Sequence, residues 1–255
     1  MSSRNRLRTL WTIAFMNGVV PIRRQPLYLL NTIASPLSFL FFIALASRGT
    51  LLRPAIAGGM VLTMISIGTS VQADLTHFKQ DLKFQDLVVA SPVEAPTYVA
   101  GLALSEFLYS IPGLSVFVAL LVLTGPPPSP VAGLTVAFTL LLCWAFSSAL
   151  GFTLATYFED IRETFVFGPL VSLGLTVLPP VYYPATFIPA AYRPLALLSP
   201  ATYAADLLHR AFALGASDPY FGPPLLPAPL DWLALIGITA ALFLLAAKKA
   251  RWREP

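Results

Sequence analysis

Long apolar stretches, separated by short charged or proline-rich breaks, dominate the chain. A helix needs roughly 20 residues, at 1.5 Å each, to cross a hydrocarbon core of about 30 Å. Runs of that order with little or no charge predict spans at about 27–46, 54–73, 98–123, 131–157, 164–180 and 230–248. Glu106 is the one interruption of the third, and Lys248 and Lys249 extend the last by snorkelling. Residues 125–130 (Gly-Pro-Pro-Pro-Ser-Pro) and the proline-rich stretch 221–229 predict turns, because consecutive prolines cannot continue a helix. The fifth run holds Pro169, Pro179, Pro180, Pro184 and Pro189. Irregular backbone at membrane depth persists only where protein or a wet cavity satisfies it. The run therefore predicts a span ending near Pro179, then a broken external segment reaching Leu214. Tyr182, Tyr183, Phe187, Tyr192 and Tyr203 fit an aromatic belt there, and a substrate-exit gate is the sharper alternative.

Two amphipathic stretches flank the first two spans. Leu7, Leu10, Trp11, Ala14 and Gly18 recur at helical spacing, which predicts an interfacial helix on the cytoplasmic leaflet. A signal peptide fits less well, since no small-x-small cleavage site follows and Arg23-Arg24 closes the segment. After the second span, Leu75, Phe78, Leu82 and Val89 share one helical face, while Lys79, Lys83 and Asp86 line another. Ser91-Pro92 ends that helix, because the residue before proline avoids the α region. Its mixed charges disfavour anionic lipid, and the pattern alone leaves two readings level: a helix lying on lipid, or one inserting Phe84 or Leu87 into a partner.

Composition sharpens the class. Of 255 residues, 56% are hydrophobic and 11% charged, against about 25% charged in soluble domains. The mean hydropathy is +0.74. These values exclude a charged globular surface and give an all-α integral membrane domain over 1–255. The single cysteine, Cys143, sits in an apolar run and reads as a packing thiol. Six spans put both termini on one side. The twelve basic residues there (including Arg4, Arg6, Arg8, Arg23, Arg24 and Lys83) face four on the other, namely Arg48, Arg53, Arg193 and Arg210. The positive-inside rule then makes both termini cytoplasmic, in a multi-pass protein of the cell membrane. It also accounts for a pI near 9.3 without nucleic acid.

Chemistry is sparse. No G-x-x-x-x-G-K-[ST] phosphate loop occurs. The two histidines, His77 and His209, fall on opposite sides of the expected membrane, and no metal-ligand spacing appears. No G-x-S-x-G elbow is present. Charge-free spans argue against a proton relay, so the energy source lies elsewhere. Glu106, two to three turns into the third span, reads as the only intramembrane ionisable group. It faces either a neighbouring hydroxyl near the interface, or a pathway and a cationic substrate.

Lys83-Phe-Gln-Asp-Leu-Val-Val-Ala-Ser-Pro-Val93, followed by Tyr98-Val-Ala-Gly101, resembles the signature between spans two and three of ABC-2 type permeases, including the daunorubicin-resistance-like drug exporters. Leu198-Ser-Pro-Ala-Thr-Tyr-Ala-Ala-Asp-Leu-Leu-His-Arg210 is similar to that family's Asn/Ser-Pro-x-Thr-Tyr-x-x-Asp-x-x-Arg pattern. Ser199, Pro200, Thr202, Tyr203 and Asp206 match, but His209 stands where the arginine is expected and Arg210 follows it.

The resemblance implies a permease dimer, with a homodimer favoured over a heterodimer, seated on two separate ATPase subunits. Those partners would hold the ATP and Mg, this chain would carry no cofactor, and it would be no enzyme itself. Phe78, Lys83, Phe84, Asp86 and Leu87 would couple to the ATPase, with the N-terminal helix bearing on the same partner. Glu106, Tyr109 and Tyr157 become candidates for the path. Tyr182, Tyr183, Phe187, Thr202, Tyr203 and Asp206 become candidates for an external gate on a re-entrant segment. The substrate class expected is a hydrophobic drug or lipid. A polysaccharide or glycolipid exporter subunit, and an ATP-independent intramembrane enzyme or assembly factor, are the alternatives.

Overall fold

The computed structural model describes residues 3–80, 93–126, 128–158, 160–212 and 225–249. Among these residues all regular structure is helical: α1 (Ser3–Arg24), α2 (Tyr28–Ala46), α3 (Leu52–Gln80), α4 (Ala95–Leu123), α5 (Pro130–Ala155), α6 (Ile161–Thr176), α7 (Arg193–Ala196), α8 (Pro200–Ala211) and α9 (Ala228–Lys249), with a 3₁₀ turn at Ala185–Phe187.

Local sequence explains most ends. Ser129 caps α5, accepting from the Ala132 N–H at 3.3 Å, with Pro130 in the first turn. Asp160 caps α6 through the Arg162 N–H, and Ser199 caps α8 ahead of Pro200. Pro36, Pro112 and Pro169 lie inside helices without ending them.

Among the described residues, four stretches are long and apolar enough to cross a membrane: Leu52–His77, Pro96–Leu123, Pro130–Ala155 and Ala228–Lys248. Of the other two expected spans, α2 runs for 19 residues without a charge, whereas the 16 residues of α6 reach about 24 Å at 1.5 Å each. α6 stops at Thr176 because the chain turns from Val177 ahead of Pro179 and Pro180, earlier than the expected end at 180. α3 departs in the other direction. No proline or glycine interrupts residues 69–80, so the helix runs past the expected end at Ala73 and carries Asp74, Thr76 and His77 as part of the span.

α3 is the axis of the bundle. Of its membrane-crossing stretch 89% is buried inside the chain, against 22% for α4 and α9. Ile56, Met60, Leu62, Met64 and Ile65 of α3 meet Phe117 of α4, Phe146 of α5, Leu207 and Leu208 of α8 and Leu235 of α9 in one core. Lipid tails are as apolar as leucine, so close packing and interhelical hydrogen bonds must hold these helices together. The α3–α5 seam shows both. A Cβ on Gly68 would stand 1.8 Å from the Ser147 Oγ, and one on Gly151 would stand 2.9 Å from the Gly68 carbonyl oxygen. Ser147 donates to the Met64 carbonyl oxygen at 3.2 Å and to the Cys143 carbonyl oxygen at 2.7 Å.

Candidate functional site: the base of the bundle and the broken segment

Two regions gather the residues of interest. At the base, α1 runs lengthwise beside α4. Arg6 pairs with Glu94 at 2.5 Å, Ile13 abuts Gly101, and Gly18 sits against the Ser105 carbonyl, where a Cβ would stand 2.5 Å from the oxygen. The matched order of these contacts makes the two helices parallel. The expected interfacial helix is therefore a packed element: Ala14 and Gly18 are buried, while Leu7, Trp11 and Met16 point outward. Arg23 lies over the Phe15 ring, 5.8 Å from its centroid.

Leu75 departs from expectation too. It packs inward with Ile13, Val93 and Val99 against Tyr98 and Leu102, so the face it was expected to share with Phe78 does not begin as a partner-facing surface. Phe78 lies in the last turn of α3. Lys83, Phe84, Asp86 and Leu87 lie outside the described residues.

Glu106 stands above this corner. The Ser70 hydroxyl donates to Glu106 Oε2 at 2.6 Å, and Asp74, one turn further along the same helix, acts electrostatically on the same carboxyl. Glu106 is thus not the only ionisable group within the spans: Arg53, Asp74 and His77 of α3 and Asp231 and Lys248 of α9 join it. The reading failed because a helix does not end at its first charge. Tyr109 is half-buried one turn further along α4. Tyr157, past the end of α5, is 60% exposed. Ser70 and Asp74, which sequence reasoning did not single out, are the residues that act on Glu106. A serine and an aspartate four residues apart on one helical face were the available signal.

The second region is the broken segment from Val177 to Phe212. Tyr182 is buried, its ring filling the space over Gly58 of α3 and lying 5.9 Å from Phe39 of α2. Tyr183 donates to the Leu178 carbonyl oxygen at 2.6 Å and stacks on Phe187 at 6.4 Å. Ser199 donates to the Leu175 carbonyl oxygen at 2.6 Å, Thr202 to that of Ala196 at 2.5 Å, and Tyr203 to that of Leu197 at 2.5 Å. Each of these hydroxyls satisfies backbone that the breaks in α6 and α7 leave open. The Ser-Pro-x-Thr-Tyr run therefore staples the segment together. Of the five aromatics expected in a belt, Tyr182 and Tyr203 are buried. The belt reduces to Tyr183, Phe187 and Tyr192, the last two 59% and 60% exposed.

Asp206 accepts from the Leu225 N–H at 3.2 Å. Burial pushes its carboxyl up to about 6, against the pull of that N–H and of Arg210. Arg210 turns to α9, binding the Leu226 carbonyl oxygen and the buried Asp231, 3.3 Å away. Burial lowers His209 to about 4, although the Pro54 and Val181 backbones both bond it. These contacts tie the segment to the start of α3 and the start of α9. Beside them Ser129, Thr135, Leu207, Arg210 and Trp232 line an open cavity of about 390 Å³.

A bundle of long apolar helices around a buried axis, with polar groups turned inward and a folded segment between the last two expected spans, defines a multi-pass membrane protein. The family model for the ABC-2 type transporter matches residues 9–212, and the chain belongs to that family. It is a membrane component of an ABC transporter. A comparison with curated proteins finds no match.

Proposed function

We propose that this chain is the permease subunit of an ATP-driven exporter, with six spans, both termini in the cytoplasm and a location in the cell membrane. Two copies form the path, and two separate ATPase subunits, which bind ATP and Mg, drive it from the cytoplasmic face. The family match over residues 9–212 carries this reading. The lack of a phosphate loop in the sequence supports a partner as the source of energy. The resemblance to the daunorubicin-resistance-like exporters favours a hydrophobic drug or lipid as cargo.

The segment joining α3 to α4 couples the two parts. Phe78, Lys83, Phe84, Asp86 and Leu87 engage the ATPase, and α1, clamped along α4, bears on the same partner. Glu106, Tyr109 and Tyr157 stand towards the path. Phe187, with an exposed ring, and the half-buried Tyr183 are the external-gate candidates, while Tyr182, Thr202, Tyr203 and Asp206 position that gate.

Gentle purification of the tagged protein from its own host, followed by native mass spectrometry, tests the reading. The expected species has two copies of this chain and two of a subunit carrying a phosphate loop. Phe84→Ala should then uncouple ATP hydrolysis from substrate. A lone oligomer, with no ATPase under mild detergent, would overturn it.

A further inference from the structure

α1 has a closed side and an open one. On the closed side Ala14 and Gly18 are buried, Ile13 abuts Gly101, and Gly18 sits against the Ser105 carbonyl of α4. On the open side Trp11 and Met16 stand 54% and 57% exposed, in company with the exposed Arg8, Arg23 and Arg24. Arg23 folds back over the Phe15 ring, which lays its charge along the helix rather than away from it. Beyond Arg24 the chain turns into α2, where Leu27 and Leu30 are 74% and 63% exposed. The arginine pair thus stands between two sets of exposed apolar side chains, at the entrance to a helix of 19 residues without a charge.

These charges lack an answer among the described residues. The sequence holds no aspartate or glutamate before Asp74. Glu94 of α4 is taken by Arg6, and among the described residues Arg8, Arg23 and Arg24 pair with no carboxylate. An exposed apolar strip by itself suits lipid or protein alike. One bracketed by arginines matches the headgroup region of a bilayer, where apolar side chains reach the acyl boundary and guanidinium groups meet phosphate. The exposed Leu27 and Leu30 favour lipid over a protein partner, because they carry the same surface on into the bilayer. We propose that the open side of α1 docks on anionic phospholipid at the leaflet where α1 gives way to α2. Arg8, Arg23 and Arg24 recognise the headgroup phosphates, and Trp11 and Met16 enter the boundary beneath them. Because α1 is clamped along α4, the lipid bears on the start of α4, directly after segment 81–92, and its charge sets how firmly that end is held. The inference requires a membrane protein and does not rest on the exporter reading.

The test follows the melting temperature of the purified full chain in neutral detergent micelles as phosphatidylglycerol or phosphatidylcholine is added. Phosphatidylglycerol should raise it far more than phosphatidylcholine, and added salt should remove the difference. Arg8→Gln/Arg23→Gln/Arg24→Gln should need about a hundredfold more phosphatidylglycerol for the same rise. The corresponding triple lysine variant keeps the charge and should respond as wild type. So should Arg48→Gln, which removes an exposed arginine beyond the opposite end of α2. Equal rises with the two lipids, or a rise that the glutamine variant keeps in full, would overturn the proposal. Should the glutamine variant not fold, the wild type decides alone, since a phosphatidylglycerol rise that salt leaves intact also overturns it. A lipid preference that emerges only once an ATPase subunit is added would assign the open side to that protein and overturn it likewise. Failure of the permease reading shows separately, as an ATPase that never co-purifies.

Discussion

Where α3 meets α5, Gly68, Gly151 and Ser147 bring two backbones into contact, and no ionisable group takes part. Where the same helix meets α4, Phe117 packs on Gly59 and the Ser70 hydroxyl donates to Glu106, with Arg6 and Glu94 fastening α1 on the far side. The first seam is closed by shape, and the second adds hydrogen bonding and charge to shape. Shape admits one arrangement, because packed interiors tolerate little change in volume. Hydrogen bonding is less exclusive, because the Ser70 hydroxyl reaches both Glu106 and the Ile67 carbonyl oxygen and can exchange between them. One helix therefore joins a fixed scaffold to an adjustable hairpin, and the adjustable side borders the segment expected to meet the ATPase.

The strongest way to break this contrast is Gly68→Val. Its Cβ would lie 1.8 Å from the Ser147 Oγ and 2.8 Å from the Ser148 backbone nitrogen, which leaves the seam nowhere to relax. A loss of about 3 kcal/mol is expected, read as a large drop in melting temperature and in the monodisperse fraction in detergent. A variant as stable as wild type would show that the seam is not closed.

Glu106→Ala probes the other side, since it removes the carboxyl to which the Ser70 hydroxyl donates. A loss of about 2 kcal/mol is expected, with Glu106→Gln recovering most of it. Equal losses for the two would mean that the carboxyl volume matters and its hydrogen bonds do not. Thr69→Val removes the 2.6 Å hydrogen bond to Ser172 that joins α3 to α6, and interhelical bonds in bilayers average about 0.6 kcal/mol. A loss of that size would place this contact below both seams. The smallest effect belongs to Arg6→Ala. Its ion pair is about half exposed on each side, so less than about 0.5 kcal/mol, diminishing with added salt, should be lost. A larger, salt-insensitive loss would mean that α1 is held to α4 chiefly through this pair.

Much of the fold was legible in the sequence because apolar length and proline breaks act locally. The turn around residues 125–130, the starts of α5 and α8 at Ser-Pro steps, and the broken stretch after α6 all follow from residues adjacent in the chain. The candidate site was less legible. Leu75 and Phe78 share a helical face, but nothing in their spacing tells that Leu75 meets Tyr98 and Ile13. Thr202 and Tyr203 read as exposed gate residues until the carbonyls of Ala196 and Leu197 are found beneath their hydroxyls. The partnership of Glu106 with Ser70 crosses from one helix to another, and periodicity within a helix carries no information on it. Arg210 shows the same limit: its acidic partner is Asp231 of α9, well beyond the motif that suggested Asp206.

The almost complete enclosure of α3 has a consequence for how the protein is made. Thr69 reaches its partner Ser172 across 103 residues of sequence, and Gln72 reaches the Thr164 carbonyl across 92. Synthesis delivers α3 long before α6 exists, so a helix bearing Thr63, Thr69, Gln72 and Asp74 enters the membrane before the partners of Thr69 and Gln72 are made. Its early residence there depends on provisional neighbours, either α2 or the insertion machinery. The element that becomes the most protected in the finished molecule is thus the one most dependent on help while the chain is still emerging.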